Sequence, residues 1–148
     1  MSKLNSIFKP KSKEDLICSL NKLSKGEKNN KLLFASYHGY EDLVNVLIKD
    51  GANVNIKSET NKTPLMMASF NGFTNIVKSL LNSGANVNDK SCKKWTSLML
   101  ASSEGHKEIV ELLLNAKADI SIKNGSGFSA LDLAIYNKNK EIVELLKN

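Results

Sequence analysis

The chain has 148 residues, 41% of them hydrophobic and 24% charged, with a formal net charge of +6. That length suits one domain or one array of small units sharing a core, and the apolar share argues against wholesale disorder. No apolar run approaches a bilayer span and the opening "MSKLNSIFKPKSKED" has no signal-peptide core, so an intracellular protein, cytoplasmic or nuclear, is expected.

Residues 1–31 carry eight lysines against Glu14, Asp15 and Glu27, a net of +5 that leaves +1 for the remainder. All 21 basic residues are lysine. Arginine supplies the planar fork that grips phosphates and guanine edges, so its absence counts against a nucleic-acid partner. Richness in lysine and asparagine is also what an AT-rich coding sequence produces. Residues 1–11 read as a mobile basic tail, interrupted by Pro10 and with only Leu4, Ile7 and Phe8 to bury. Residues 12–27 read as an N-terminal capping helix. Ser12 is its cap, Glu14 and Asp15 complement its dipole, and Leu16, Leu20 and Leu23 share a face.

From residue 28 a 33-residue period takes over. Ala35, Ala68, Ala101 and Ala134 keep this step, as do Val44, Val77, Val110 and Val143, and Leu47, Leu80, Leu113 and Leu146. The units fall at about 28–57, 58–90, 91–123 and 124–148. In the second, "TPLMMASFNG" predicts a short helix capped by Thr63, with Pro64 at its first position and Gly72 at its left-handed end. "FTNIVKSLLNSG" predicts another, with Thr74 as cap, Gly84 as stop, and Ile76, Val77, Leu80 and Leu81 on one face. "ANVNDKSCKKW" then lacks helical period and predicts an extended loop or hairpin. Helices this short are unstable alone in water, so each must stack on its neighbours.

"TPLMMA", "TSLMLA" and "SALDLA", each followed at fixed distance by Ile-Val and then by a leucine pair, together with the recurrent "GANVN", resemble the ankyrin-repeat family over residues 28–148. The resemblance implies an all-α solenoid of about four stacked helix-turn-helix repeats with short hairpin or loop fingers. It also implies a non-enzymatic protein–protein interaction module, a scaffold or adaptor, needing no cofactor or metal and monomeric on its own. Met66, Met99 and Asp132 stand where the family's inter-repeat histidine falls, so that polar ladder is expected to be weak or missing. Lys117 and Lys138 replace helix-ending glycines, which predicts backbone strain and a looser C-terminal end.

No catalytic constellation emerges. His106 matches the family's Gly-His step, which implies a structural role, and Cys18 and Cys92 lie far from each other and from any histidine cluster. Cys92 has only lysines beside it to activate a thiolate. The resemblance implies that a protein partner meets the finger tips and the inner face of the first helices. The variable residues there are Lys57, Lys62, Lys90, Lys93, Trp95, Lys123 and Phe128 on the fingers, and Tyr37, His38, Phe70 and Tyr136 on the helices. Rings at such positions anchor interfaces, or else pack on neighbouring fingers and lysine stems. The column Lys57, Lys90, Lys123 reads equally as a solvated edge or a rail for an acidic partner. The competing reading is a polyanion binder, for nucleic acid or an acidic membrane, through Lys3, Lys9, Lys11, Lys13 and the finger lysines; the nearly neutral body counts against it.

Overall fold

The computed structural model describes residues 18–148, in which a helical turn at 18–20 precedes eight helices in sequential pairs. The pairs are α1 (Lys25–His38) with α2 (Glu41–Lys49), α3 (Pro64–Asn71) with α4 (Thr74–Asn82), α5 (Ser97–Glu104) with α6 (Lys107–Asn115), and α7 (Ala130–Tyr136) with α8 (Lys140–Lys147). No strand occurs among the described residues. The basic tail expected at 1–11 and the start of the capping helix lie outside them.

Each first helix opens on a side-chain cap, because the first backbone N–H groups have no partner inside the helix. Thr63 accepts from the Met66 N–H, and Thr96 from the Met99 N–H. Ser24 with Glu27 and Ser129 with Asp132 form reciprocal capping boxes. Because Ser24 starts α1 at Lys25, the boundary expected at 27/28 falls inside a helix. Of the expected capping segment, the described residues ahead of α1 are 18–23, with Leu20 buried and Leu23 half-buried.

The second helices start differently. Thr74 is the first residue of α4 rather than its cap; Phe73 occupies the cap position and makes no side-chain bond there. Gly72 ends α3 at φ +78°, and the Thr74 N–H donates to the Gly72 carbonyl across Phe73. With Phe73 at φ −84° and ψ 77°, this is an inverse γ-turn, repeated at Tyr40, His106 and Asn139. A left-handed residue followed by this tight turn folds each second helix back on the first. Lys138 takes glycine's place at φ +61°, and Lys117 ends α6 at φ +66°. Both lysines are therefore in the left-handed backbone that the sequence foretold as strained.

The core is one continuous apolar layer running through all four pairs. Val44, Leu47, Leu65, Ile76, Leu80, Leu98, Ile109 and Leu113 are almost wholly excluded from water. The first helices pack on one another more closely than the second helices do. Small residues allow this approach: the alanine column at 35, 68, 101 and 134 is fully buried, as are Ser36, Ser69 and Ser102 beside it. Closer spacing on one side curves the stack, with the first helices on its inner face.

Candidate functional site: fingers and first helices

Between repeats the chain runs out into a finger and returns to the next first helix. In the first finger the Ser58 N–H donates to the Lys62 carbonyl, and the Asn61 N–H to the Ser58 carbonyl. Ser91 with Trp95, and Asn124 with Phe128, repeat that closure. Asn61, Lys94 and Gly127, again 33 residues apart, all have positive φ, as the tight reversal demands. The fingers are also bonded to each other. Cys92 N–H donates to the Thr60 carbonyl at 3.0 Å, and Gly125 N–H to the Lys93 carbonyl at 2.9 Å. Their tips are consequently held in register.

The "GANVN" linkers supply a second set of braces. The Asn55 side chain accepts from the Asn86 N–H at 2.7 Å and donates to the Gly84 carbonyl. Asn88 does the same one repeat later, accepting from Asp119 N–H and donating to the Lys117 carbonyl. The last asparagine of the motif thus bonds both a donor and an acceptor of the following linker. In the third linker Ser121 stands there instead, and its hydroxyl donates to Asp119. That hydrogen bond, then one from the Ser121 N–H, holds the Asp119 carboxyl below its ordinary pKa, with Lys90 adding a smaller favourable charge.

The expected ligand-facing residues divide into distinct groups. Tyr37, Phe70 and Tyr136 occupy one column on the inner helices and are 48%, 42% and 80% exposed, with Ser103 completing the column. His38 is exposed next to Tyr37, its ring centroid 5.0 Å from that of Tyr37. Phe128 is exposed on the third finger. Trp95 behaves otherwise: it is half-buried and packs against the core, so much of its ring is already occupied within the protein. Phe70 and Tyr37 offer more free ring surface than Trp95 does.

The finger lysines divide too. Lys57 pairs with Asp89 at 3.1 Å. Lys90 lies near Asp119 and Lys123 near Asp132, whose carboxyl is held down mainly by the Ser129 N–H and hydroxyl. This column therefore faces acids of its own chain. Lys62, Lys93 and Lys94 are exposed and have no ion-pair partner among the described residues. Cys92, also exposed, has its thiol 3.9 Å from the Glu59 carbonyl oxygen. Among the described residues no three His, Cys, Asp or Glu side chains converge as a metal site.

Two features were not anticipated. Met66 and Met99 are buried and supply no polar ladder, yet one exists elsewhere. Asn71 donates to the Tyr37 carbonyl, His106 Nε2 lies 3.0 Å from the Phe70 carbonyl, and Asn139 donates to the Ser102 carbonyl. The other is a ring cluster on the first repeat. Phe34 lies 4.3 Å from His38 and 5.9 Å from Tyr40, centroid to centroid, all on the exposed surface. The Phe34/His38 step of four residues along α1 was the signal for it.

Against known families, the sequence model described as "Ankyrin repeats (3 copies)" matches residues 13–91, 32–124 and 89–148. The chain belongs to the ankyrin-repeat family. Ankyrin repeats are generally protein–protein interaction modules and typically non-catalytic. Among curated proteins, none matches the chain. No helix among the described residues of this ankyrin-repeat protein is long and apolar enough to cross a membrane.

Proposed function

We propose that this chain is a non-enzymatic scaffold or adaptor that holds a protein partner in the groove between its fingers and first helices. One observation carries the reading: Tyr37, Phe70 and Tyr136 project from the same position of three different repeats and keep large areas of ring in water. The framework around them is repeated and buried, and Ser103 fills the same column in α5, so the repeat does not require a ring at this position. Aromatic side chains at a fixed, concave surface are the usual anchors of protein interfaces. The curvature and the backbone bonds between fingers favour a surface that loses little entropy on binding.

Affinity capture of partners on the immobilised chain, with identification by mass spectrometry, tests this directly. The combined Tyr37→Ala and Phe70→Ala variant should lose captured partners while keeping its helical spectrum and melting point. Retention by that variant, with loss when Lys78 and Lys107 on the outer helices are reversed in charge, would move the site to the convex face. The polyanion reading rests on Lys3, Lys9, Lys11 and Lys13 together with the finger lysines. It is disfavoured by the absence of arginine and by the pairing of Lys57 with Asp89.

A further inference from the structure

Building on the groove reading above, we infer that its occupant is an extended peptide segment with acidic residues along one edge and apolar residues along the other. The charge on this molecule is distributed by face. The three fingers, residues 57–62, 90–95 and 123–128, hold six lysines against Glu59 alone, a net of +5. The four outer helices hold five lysines against six acids, a net of −1. A general excess of lysine would not produce that contrast.

Within the fingers the available charge sits at the tip of the second and at the return of the first. Lys57 is committed to Asp89, whereas Lys62, Lys93 and Lys94 face solvent without an ion pair among the described residues. Their backbones are fixed, because Lys93 and Thr60 carbonyls accept from the neighbouring finger. Across the groove the inner helices present Tyr37 and Phe70, one repeat apart, with no charged residue at those positions. One wall is therefore cationic, and the other is aromatic over the first two repeats before it reaches Ser103 and the exposed Glu104 in α5. An acidic and apolar segment complements both at once, whereas a nucleic-acid duplex complements the lysines alone, and the chain has no arginine to grip the phosphates of a single strand.

The spacing adds a register. Stacked helices lie about 8–10 Å apart, and an extended polyproline-like chain advances about 9 Å every three residues. An occupant running along the stack then meets successive repeats with every third side chain. Lys62 on the return of the first finger and Lys93 and Lys94 at the tip of the second are not equivalent positions, so acidic residues roughly three apart would pass near them without matching them one to one.

Selection of a random 12-residue peptide library displayed on phage, against the full chain, tests the inference. Enriched peptides should carry acidic residues three positions apart with apolar residues between them. A synthetic copy should lose at least tenfold in affinity for the triple variant Lys62→Glu, Lys93→Glu, Lys94→Glu, and separately for Phe70→Ala. The outer-face variant Lys49→Glu should bind it as the parent does, and all variants should keep the parent melting point. Peptides that depend on Phe70 but lack acidic residues would overturn the inference and leave the groove reading standing. Tighter binding of a single-stranded 12-mer DNA than of any enriched peptide, whether or not Phe70→Ala weakens it, would overturn it in favour of a nucleic-acid surface. Recovery of no binder, or of binders indifferent to Phe70 and to the three lysines, would overturn inference and groove reading together.

Discussion

His106 lies over Gly72 of the preceding repeat, its Nε2 3.0 Å from the carbonyl oxygen of Phe70. A carbonyl only accepts, so this nitrogen carries the proton. A β-carbon on Gly72 would come within 2.6 Å of the imidazole, and Gly72 is also left-handed at φ +78°. Phe73 covers Gly39 in the same manner, and Asn139 lies over Gly105. The residue that opens each second helix therefore closes the seam to the repeat before it.

Gly72→Ala combines two costs that a double-mutant cycle separates. The left-handed backbone alone should cost about 1–2 kcal/mol, and displacement of the imidazole adds to it. In a His106→Ala background the displacement disappears, so the same substitution should cost less. Urea denaturation of the four proteins gives the coupling. Strict additivity would mean that the histidine does not seal this seam.

The asparagine braces make a different claim. Asn88→Ala should destabilise by about 1 kcal/mol, since the Asp119 N–H and Lys117 carbonyl lose their partner at an exposed site where water substitutes. Asn55→Ala should match it, and the two losses should add, because they act at successive interfaces. Chemical denaturation measures both. A negligible effect of each would reduce the recurrence of "GANVN" to its turn geometry.

Much of this was legible because the architecture is periodic. The alanine, valine and leucine columns mark positions that every unit buries, and Thr63 with Pro64 states a helix start outright. The start of α1 was also written in the sequence, as Ser24 followed three residues later by Glu27, but an adjacent leucine pattern suggested one longer capping segment. The inter-repeat bonds of Asn71, His106 and Asn139 were not legible. Their acceptors are backbone carbonyls, at Tyr37, Phe70 and Ser102, which carry no residue signature. Trp95 misled for a related reason: its position in a variable finger indicates exposure, but its ring turns inward onto the core.

Acid should weaken the last repeat through its cap. The Ser129 N–H and hydroxyl both donate to Asp132, which depresses its folded-state pKa, with Lys123 helping slightly. A depressed carboxylate stabilises the fold fully above its unfolded pKa of about 4, and that contribution is lost as pH falls through the lower folded value. Glu27 at Ser24 and Asp119 at Ser121 act with the same sign. Denaturant midpoints at pH 7 and pH 3 should therefore differ less in Asp132→Asn than in the parent. An unchanged difference would exclude this carboxylate as an acid-sensitive element.

The fourth repeat should also open first under native conditions. Its first helix has seven residues where α3 and α5 have eight. Ile135 is 54% exposed at the position where earlier repeats bury Ser36, Ser69 and Ser102. Lys138 adds strain by holding the left-handed conformation between α7 and α8. Hydrogen exchange should accordingly show weaker protection in residues 124–148 than in 58–90. Lys138→Gly relieves the strain, partly offset by the greater freedom that glycine gives the unfolded chain, for a net gain of roughly 0.5–1 kcal/mol. If that strain sets the opening, the substitution should raise protection in α7 and α8 and leave α3 and α4 nearly as they were. Equal gains in all repeats would mean that the array opens as one cooperative unit, with Lys138 contributing to global stability and not to a weak end.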